Sequence, residues 1–201
     1  MFHFSPVKDR KNKILDAAVN LAEEGGFDNV RQRDVAAQAG VALGTLYKRF
    51  RSKEDMLVAA LDREAKVLER RMQLTPAKGD TPIERVSAFF NMATRGLCRK
   101  PKYARAVLRA MASGEPEIAG KIAVYHGRIA GIIVASLRGP DGPDAATQPP
   151  SKNEETLANM LQQFWFAALV GWSAALITEK EVAEQTKLAA TFLIRGISLE
   201  G

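Results

Sequence analysis

The stretch QRDVAAQAGVALGTLYKRFRSK, residues 32–53, decides the fold. Within it Ala36, Gly40 and Leu46 are separated by four and then six residues. A small residue sits where two helices touch, a glycine is free to take a left-handed turn, and an apolar residue anchors the second helix. That is the geometry of a helix-turn-helix. Leu46 and Phe50, four apart, share the inward face of a second helix predicted over Leu43 to Phe50. Thr45, Lys48 and Arg49 then fall on other faces, with Tyr47 at their edge. A short helix with a polar, basic outer side suits the major groove of duplex DNA.

Charge points the same way. Residues 1–53 hold ten basic side chains against six acidic ones, and four of the six residues from Lys48 to Lys53 are basic. Such clusters attract phosphate oxygens and make binding salt-dependent. A charge run alone is as well read as a solvated helix face. It is the Ala/Gly/Leu spacing beside it that turns the reading toward DNA.

Working outward, apolar residues recur at helical spacing and extended β-branched alternation is absent. Ile14, Leu15, Ala18, Leu21 and Ala22 form one stripe, stopped by Gly25-Gly26. Ser52 is an N-cap with Asp55 three residues on, opening a long helix through Met56, Ala60 and Val67 toward Met72. Pro76, Gly79 and Pro82 break the chain. Helices are then predicted near 82–98, 101–112, 116–138, 152–178 and 179–197, with Pro101 and Pro116 in first turns. The segment 139–150, with four prolines and two glycines, is an exposed loop. The expectation is an all-α chain of about nine helices: a three-helix DNA-binding domain over 1–55 and a larger helical domain over 56–201.

The whole chain of 201 residues has a formal net charge of +6, and 46% hydrophobic with 26% charged residues exclude wholesale disorder. One cysteine, Cys98, excludes an internal disulfide framework and a Cys-based zinc site. Two histidines, His3 and His126, argue against a multi-histidine metal centre, so no metal and no cofactor are expected. The charged start, Met1 to Lys13, lacks the apolar run of a signal peptide, and a reducing cytoplasm is the expected location. Thr156 to Thr178 carries no charge over 23 residues, but its mainly apolar part, Phe164 to Ile177, is 14 long, which favours a core helix over a membrane span. Gly171-Trp172-Ser173-Ala174-Ala175 lacks the last glycine of a nucleophile elbow, and no glycine-rich phosphate loop is present, so no enzyme is expected.

Lys13-Ile14-Leu15-Asp16-Ala17-Ala18, Gly25-Gly26-Phe27, Arg33-Asp34-Val35-Ala36 and Gly40-Val41 resemble the TetR family of bacterial transcriptional regulators. So does the block Gly44 to Phe50 followed by Ser52-Lys53-Glu54-Asp55-Met56-Leu57. The resemblance covers roughly residues 10–60. It implies that Leu43, Gly44 and Thr45 approach base edges, and that Tyr47 and Lys48 contact phosphates. It also implies that Arg33 reaches the backbone or groove edge and that Lys53 holds a phosphate at a helix N-terminus. Arg31 stands where the family has Ser or Thr, so that helix loses its usual cap and gains a charge near DNA. Arg51 stands where Pro is frequent. A narrower resemblance, carried by Ala42 to Tyr47 and Leu57 to Leu61, is to steroid-catabolism repressors of the same family.

The family resemblance further implies a ligand-binding, dimer-forming second domain. Phe89, Phe90, Met92, Tyr103, Met111, Tyr125, Phe164, Trp165 and Trp172 are the bulky groups available to line a cavity, although residues of this kind more often simply fill a helical core. The last two helices, about 152–197, are the implied homodimer pair, with Ala168, Gly171 and Ala175 as a small-residue face. His126 reads as a hydrogen-bonding residue and Cys98 as a packing residue or a redox sensor. The expected partners are operator DNA, a second copy of the chain, and a lipophilic effector of steroid or fatty-acid origin, including its coenzyme A thioester. Arg95, Arg99, Lys100, Lys102, Arg105 and Arg109 would hold the thioester's phosphates, or form solvated surface. The alternative reading is a ligand-binding or scaffold protein with a vestigial helix-turn-helix.

Overall fold

The computed structural model describes residues 6–143 and 148–198, with side chains over 10–143 and 148–196. His3, with the rest of residues 1–5, lies outside the described residues, and Lys8 is described by its backbone in the first helix. Among those described there are nine α-helices and no strand. They are α1 Pro6–Gly25, α2 Gln32–Gln38, α3 Leu43–Tyr47, α4 Lys53–Leu74, α5 Pro82–Cys98, α6 Pro101–Met111, α7 Ala119–Arg138, α8 Lys152–Ser173 and α9 Glu179–Ser198. Short 3-10 turns cover Phe27–Asn29 and Pro116–Ile118.

The chain forms two compact units that do not follow the expected 1–55 and 56–201 division. The first is Met1–Glu64 with Lys100–Ala123, the second Ala65–Arg99 with Val124–Gly201. The reason lies in α6. Its buried face, Tyr103, Ala104, Ala106, Val107, Leu108 and Ala110, packs against α1. The Tyr103 N–H also donates to the Glu23 carboxylate at 3.0 Å.

In the first unit Ile14, Leu15, Ala18, Ala22, Val35, Leu46, Phe50, Met56 and Leu57 form the core. The α2–α3 turn follows from its glycine. Gly40 sits at φ +64°, its N–H donates to Ala37 O, and the Val41 N–H donates to Ala36 O at 3.0 Å. This pair of bonds closes the helix C-terminus in a conformation that glycine adopts without strain.

In the second unit, α8 packs on α9 and α9 on α5. Capping boxes start three of its helices, Thr81 with Glu84 for α5, Ser151 with Glu154 for α8 and Thr178 with Glu181 for α9. The Arg85 guanidinium, buried, donates to the Ser136 and Leu137 carbonyls at 2.9 Å and so caps the end of α7. Arg138 pairs with both carboxylate oxygens of Glu154, at 2.7 and 2.9 Å, and donates to the carbonyls of Pro143, Gln148 and Pro149.

Helix α8 is shorter than the predicted 152–178. It ends at Ser173, the Leu176 N–H returning to Gly171 O and the Ala175 N–H to Trp172 O. Ala175 takes the left-handed position at φ +59°, which a side chain disfavours. Among the described residues, the helix long and apolar enough to span a bilayer is not this one but the continuous helical stretch Pro116–Arg138. It carries Lys121, Arg128 and Arg138, and its Tyr125, Ile129, Ile132 and Ile133 are buried in the protein.

Candidate functional site

Helix α3 is little more than a single turn, shorter than the predicted Leu43 to Phe50, although Lys48 keeps helical dihedrals and the Phe50 N–H still donates to Leu46 O at 2.9 Å. Leu46 and Phe50 are 0% and 2% exposed, so the inward face is the one expected. Gly44, Tyr47 and Lys48 are exposed and Leu43, Thr45 and Arg49 half-buried, which leaves a polar, basic outer side. No atom lies near a Cβ built at Gly44, so its surface is open to close approach by a partner.

Arg31 and Arg33, at the start of α2, are also exposed. Arg31 occupies the N-cap position with extended geometry and no side-chain cap bond, so the first N–H groups of α2 lack that partner. Across the turn, the Gln32 side-chain amide donates to Arg51 O at 3.2 Å.

Lys53 is not a bare cation. Its Nζ lies 4.0 Å from the centroid of Phe27 and 3.7 Å from the Asp28 carboxylate. Arg109 stacks on the same ring at 4.2 Å and pairs with Asp28 at 3.2 Å. A phosphate at Lys53 therefore meets a cation shared with Asp28. Sequence reasoning missed this group because Arg109 is remote in the chain. Arg109 also borders an open groove of about 370 Å³ with Gly25, Gly26, Phe27, Lys102, Arg105 and Ala106. Lys102 there donates to Glu24 O at 2.8 Å.

Of the nine bulky candidates, Tyr103 and Met111 belong to the first unit, the other seven to the second. Phe89, Phe90 and Trp165 form a buried aromatic cluster, with ring centroids 5.0 Å apart for Phe89 and Phe90 and 5.5 Å for Phe90 and Trp165. The Trp165 indole N–H donates to the buried Thr94 hydroxyl at 2.9 Å. Tyr103 and Tyr125 are buried, Met92, Met111 and Trp172 half-buried, and Phe164 is 40% exposed on the surface of α8.

Neither the first unit's groove nor one of about 540 Å³ between α5 and α9 is lined by any of the nine. The six basic residues are split likewise. Lys102, Arg105 and Arg109 border the first groove, and Arg95 the second, beside Glu179 and Glu184. His126 Nδ1 lies 3.1 Å from Gln162 Oε1, a hydrogen-bonded pair as expected. Cys98 is half-buried. Among the described residues no three His, Cys, Asp or Glu side chains come together.

An all-helical chain whose exposed α3 follows a glycine turn and carries a basic outer side is a DNA-binding regulator of the helix-turn-helix class. Residues 14–60 match the model of the tetR family of bacterial regulatory proteins, and residues 79–193 match a tetracyclin repressor-like C-terminal domain. The chain belongs to the TetR family.

It is 29% identical over 187 residues to the HTH-type transcriptional repressor KstR of Mycolicibacterium smegmatis, covering 93% of this chain and 88% of the relative. Its fold is similar to a TetR transcriptional regulator from Rhodococcus sp. RHA1, with a TM-score of 0.82 at 23% identity over 94% and 97% of the two chains. It is also similar to Thermus thermophilus FadR, a TetR-family repressor in complex with lauroyl-CoA. There the TM-score is 0.71 at 18% identity, over 92% of this chain and 94% of that one.

Proposed function

We propose that the chain is a homodimeric transcriptional repressor of the cytoplasm, released from a near-palindromic operator by a lipophilic small molecule. The observation that carries the reading is the helix-turn-helix itself. Leu46 and Phe50 are buried while Gly44, Tyr47 and Lys48 face outward. In this reading Leu43, Gly44 and Thr45 meet base edges, and Arg31, Arg33, Tyr47, Lys48 and Lys53 meet phosphates. Two copies place their α3 helices in successive major grooves about 34 Å apart. An effector that alters this spacing weakens operator binding.

The surface that pairs two copies is the apolar face of α8 and α9. Met160, Phe164 and Val170 on α8 and Leu188 and Phe192 on α9 are exposed, between 40% and 67%. Ala168, expected on that face, is buried within its own subunit, so Phe164 rather than Ala168 is its centre. The effector class draws on the similarity to KstR and on the lauroyl-CoA bound by the Thermus thermophilus repressor.

A mobility-shift experiment with DNA from immediately upstream of the protein's own coding sequence tests the reading. Sequence-selective binding that falls on addition of acyl or steroid thioesters is the expected result. Equal affinity for mixed-sequence DNA, or no binding, favours the scaffold alternative. Release by a small polar metabolite alone overturns the effector class.

A further inference from the structure

We propose that Lys121, on α7, is a positioning residue for the DNA-reading helix α3, acting through Asp55; this rests on the DNA-binding reading above. One turn of helix has no stability of its own, so the placement of α3 depends on what holds its two ends. Gly40 holds the first. The second is the turn 48–52, where the Arg49 and Phe50 N–H groups return to Leu46 O at 2.9 Å and three side-chain bonds tie the turn to its surroundings. The Gln32 side-chain amide donates to Arg51 O at 3.2 Å. The Arg51 N–H donates to Asp55 Oδ2, and the Asp55 N–H donates to Ser52 Oγ, both at 3.1 Å.

Asp55 thus joins the α4 cap to the residue that follows Phe50. Its side chain is only 7% exposed, and a carboxylate so buried requires a matched charge. Lys121 supplies that charge. Its ammonium pairs with Asp55 Oδ1, the oxygen that Arg51 does not use, and lies 5.4 Å from the centroid of Phe50. The Lys121 side chain is itself 43% exposed, so a neutral replacement opens no cavity.

Without the ammonium, the favourable state of Asp55 is one turned to water. Turning releases the Arg51 N–H, and with it the turn that aims Thr45 and Tyr47. Lys121 also lies three residues before α7 passes into the second compact unit, at Val124. The residue that neutralises Asp55 is therefore carried on an element shared by both units.

The test uses full-length wild type, Lys121→Met and Lys121→Arg, with a duplex that wild type selects from a random-sequence pool and a mixed-sequence duplex of equal length. Losing a surface cation weakens binding to both duplexes alike, so the ratio of the two affinities is the readout. Lys121→Met should lower that ratio about tenfold, with its melting temperature near that of wild type. Lys121→Arg, which keeps the charge, should retain most of the ratio. Hydrogen exchange without DNA should quicken in peptides over 48–56 for Lys121→Met and stay unchanged in those over 157–169.

A Lys121→Met ratio equal to wild type overturns the proposal, as does an equal loss on both duplexes with unchanged exchange at 48–56. If wild type selects no sequence at all, the DNA-binding reading fails first and the positioning role with it.

Discussion

The first unit and the second put their conspicuous side chains to opposite uses. Around α3, the apolar Leu46 and Phe50 are buried, while Gly44, Tyr47 and Lys48, expected to meet DNA, lie on the outside. In α5 and α8 three of the bulky residues expected to meet a ligand meet one another. Phe89, Phe90 and Trp165 form a buried aromatic cluster, and the indole N–H of Trp165 is satisfied by Thr94. A DNA-reading surface needs residues that the core does not use, so spacing exposes it. A pocket for an apolar molecule draws on the same residue types as the core, and composition cannot separate the two.

The sharpest way to break this contrast is to truncate one aromatic of each kind within the second unit. Phe90→Ala should cost about 3–5 kcal/mol in urea unfolding, the value for an aromatic removed from a packed core. Phe164→Ala should change monomer stability by less than about 0.5 kcal/mol, while light scattering shows a shift toward monomer. A small loss for Phe90→Ala combined with altered effector affinity would mean that its ring lines a pocket after all.

That contrast also explains what the sequence made legible. The Gly25-Gly26 stop, the Gly40 turn and the inward Leu46 were readable because each is a local rule: a left-handed residue, a small contact, a four-residue spacing. Helix α8 was overextended to Thr178 because Ala175, not a glycine, takes its left-handed terminal position. The sharing of Asp28 between Lys53 and Arg109 joins residues 81 positions apart, which no periodicity reports. The compact units differ from the expected division for a related reason. Helix α6 follows the second unit's α5 in the chain but packs on α1.

Polar side chains in the second unit serve architecture, and one of them gives that role a pH signature. The Arg138 guanidinium, and then the Ser151 backbone and hydroxyl, hold the Glu154 carboxyl down at about 2 against the opposition of burial. A carboxyl lowered on folding contributes stability that is present above its unfolded range and lost as pH falls through its folded value. Glu154→Gln should therefore destabilise at pH 7 by about 1–2 kcal/mol, after allowing for the partly exposed side chain. The gap to wild type should close between roughly pH 4.3 and pH 2. Unfolding curves that stay equally separated across that range would show that the pair is not the source.

The smallest expected effect lies at Arg31, where the two requirements of the DNA-reading unit oppose each other. Arg31 is the N-cap residue of α2, and its side chain makes no cap bond. Thr at this position would accept a hydrogen bond from an orphan N–H of the first turn, adding about 0.5–1 kcal/mol of stability. The same change removes an exposed cation from the face that carries Arg33 and Lys48. If Arg31 meets a phosphate, Arg31→Thr should lower the slope of log affinity against log salt by about one unit, weakening specific and mixed-sequence DNA alike. Stability and binding should thus move in opposite directions in one variant. Urea unfolding and salt titrations on the same preparation separate them. A more stable protein with an unchanged salt slope would remove Arg31 from the interface and leave its charge as a cost to α2 with no return at DNA.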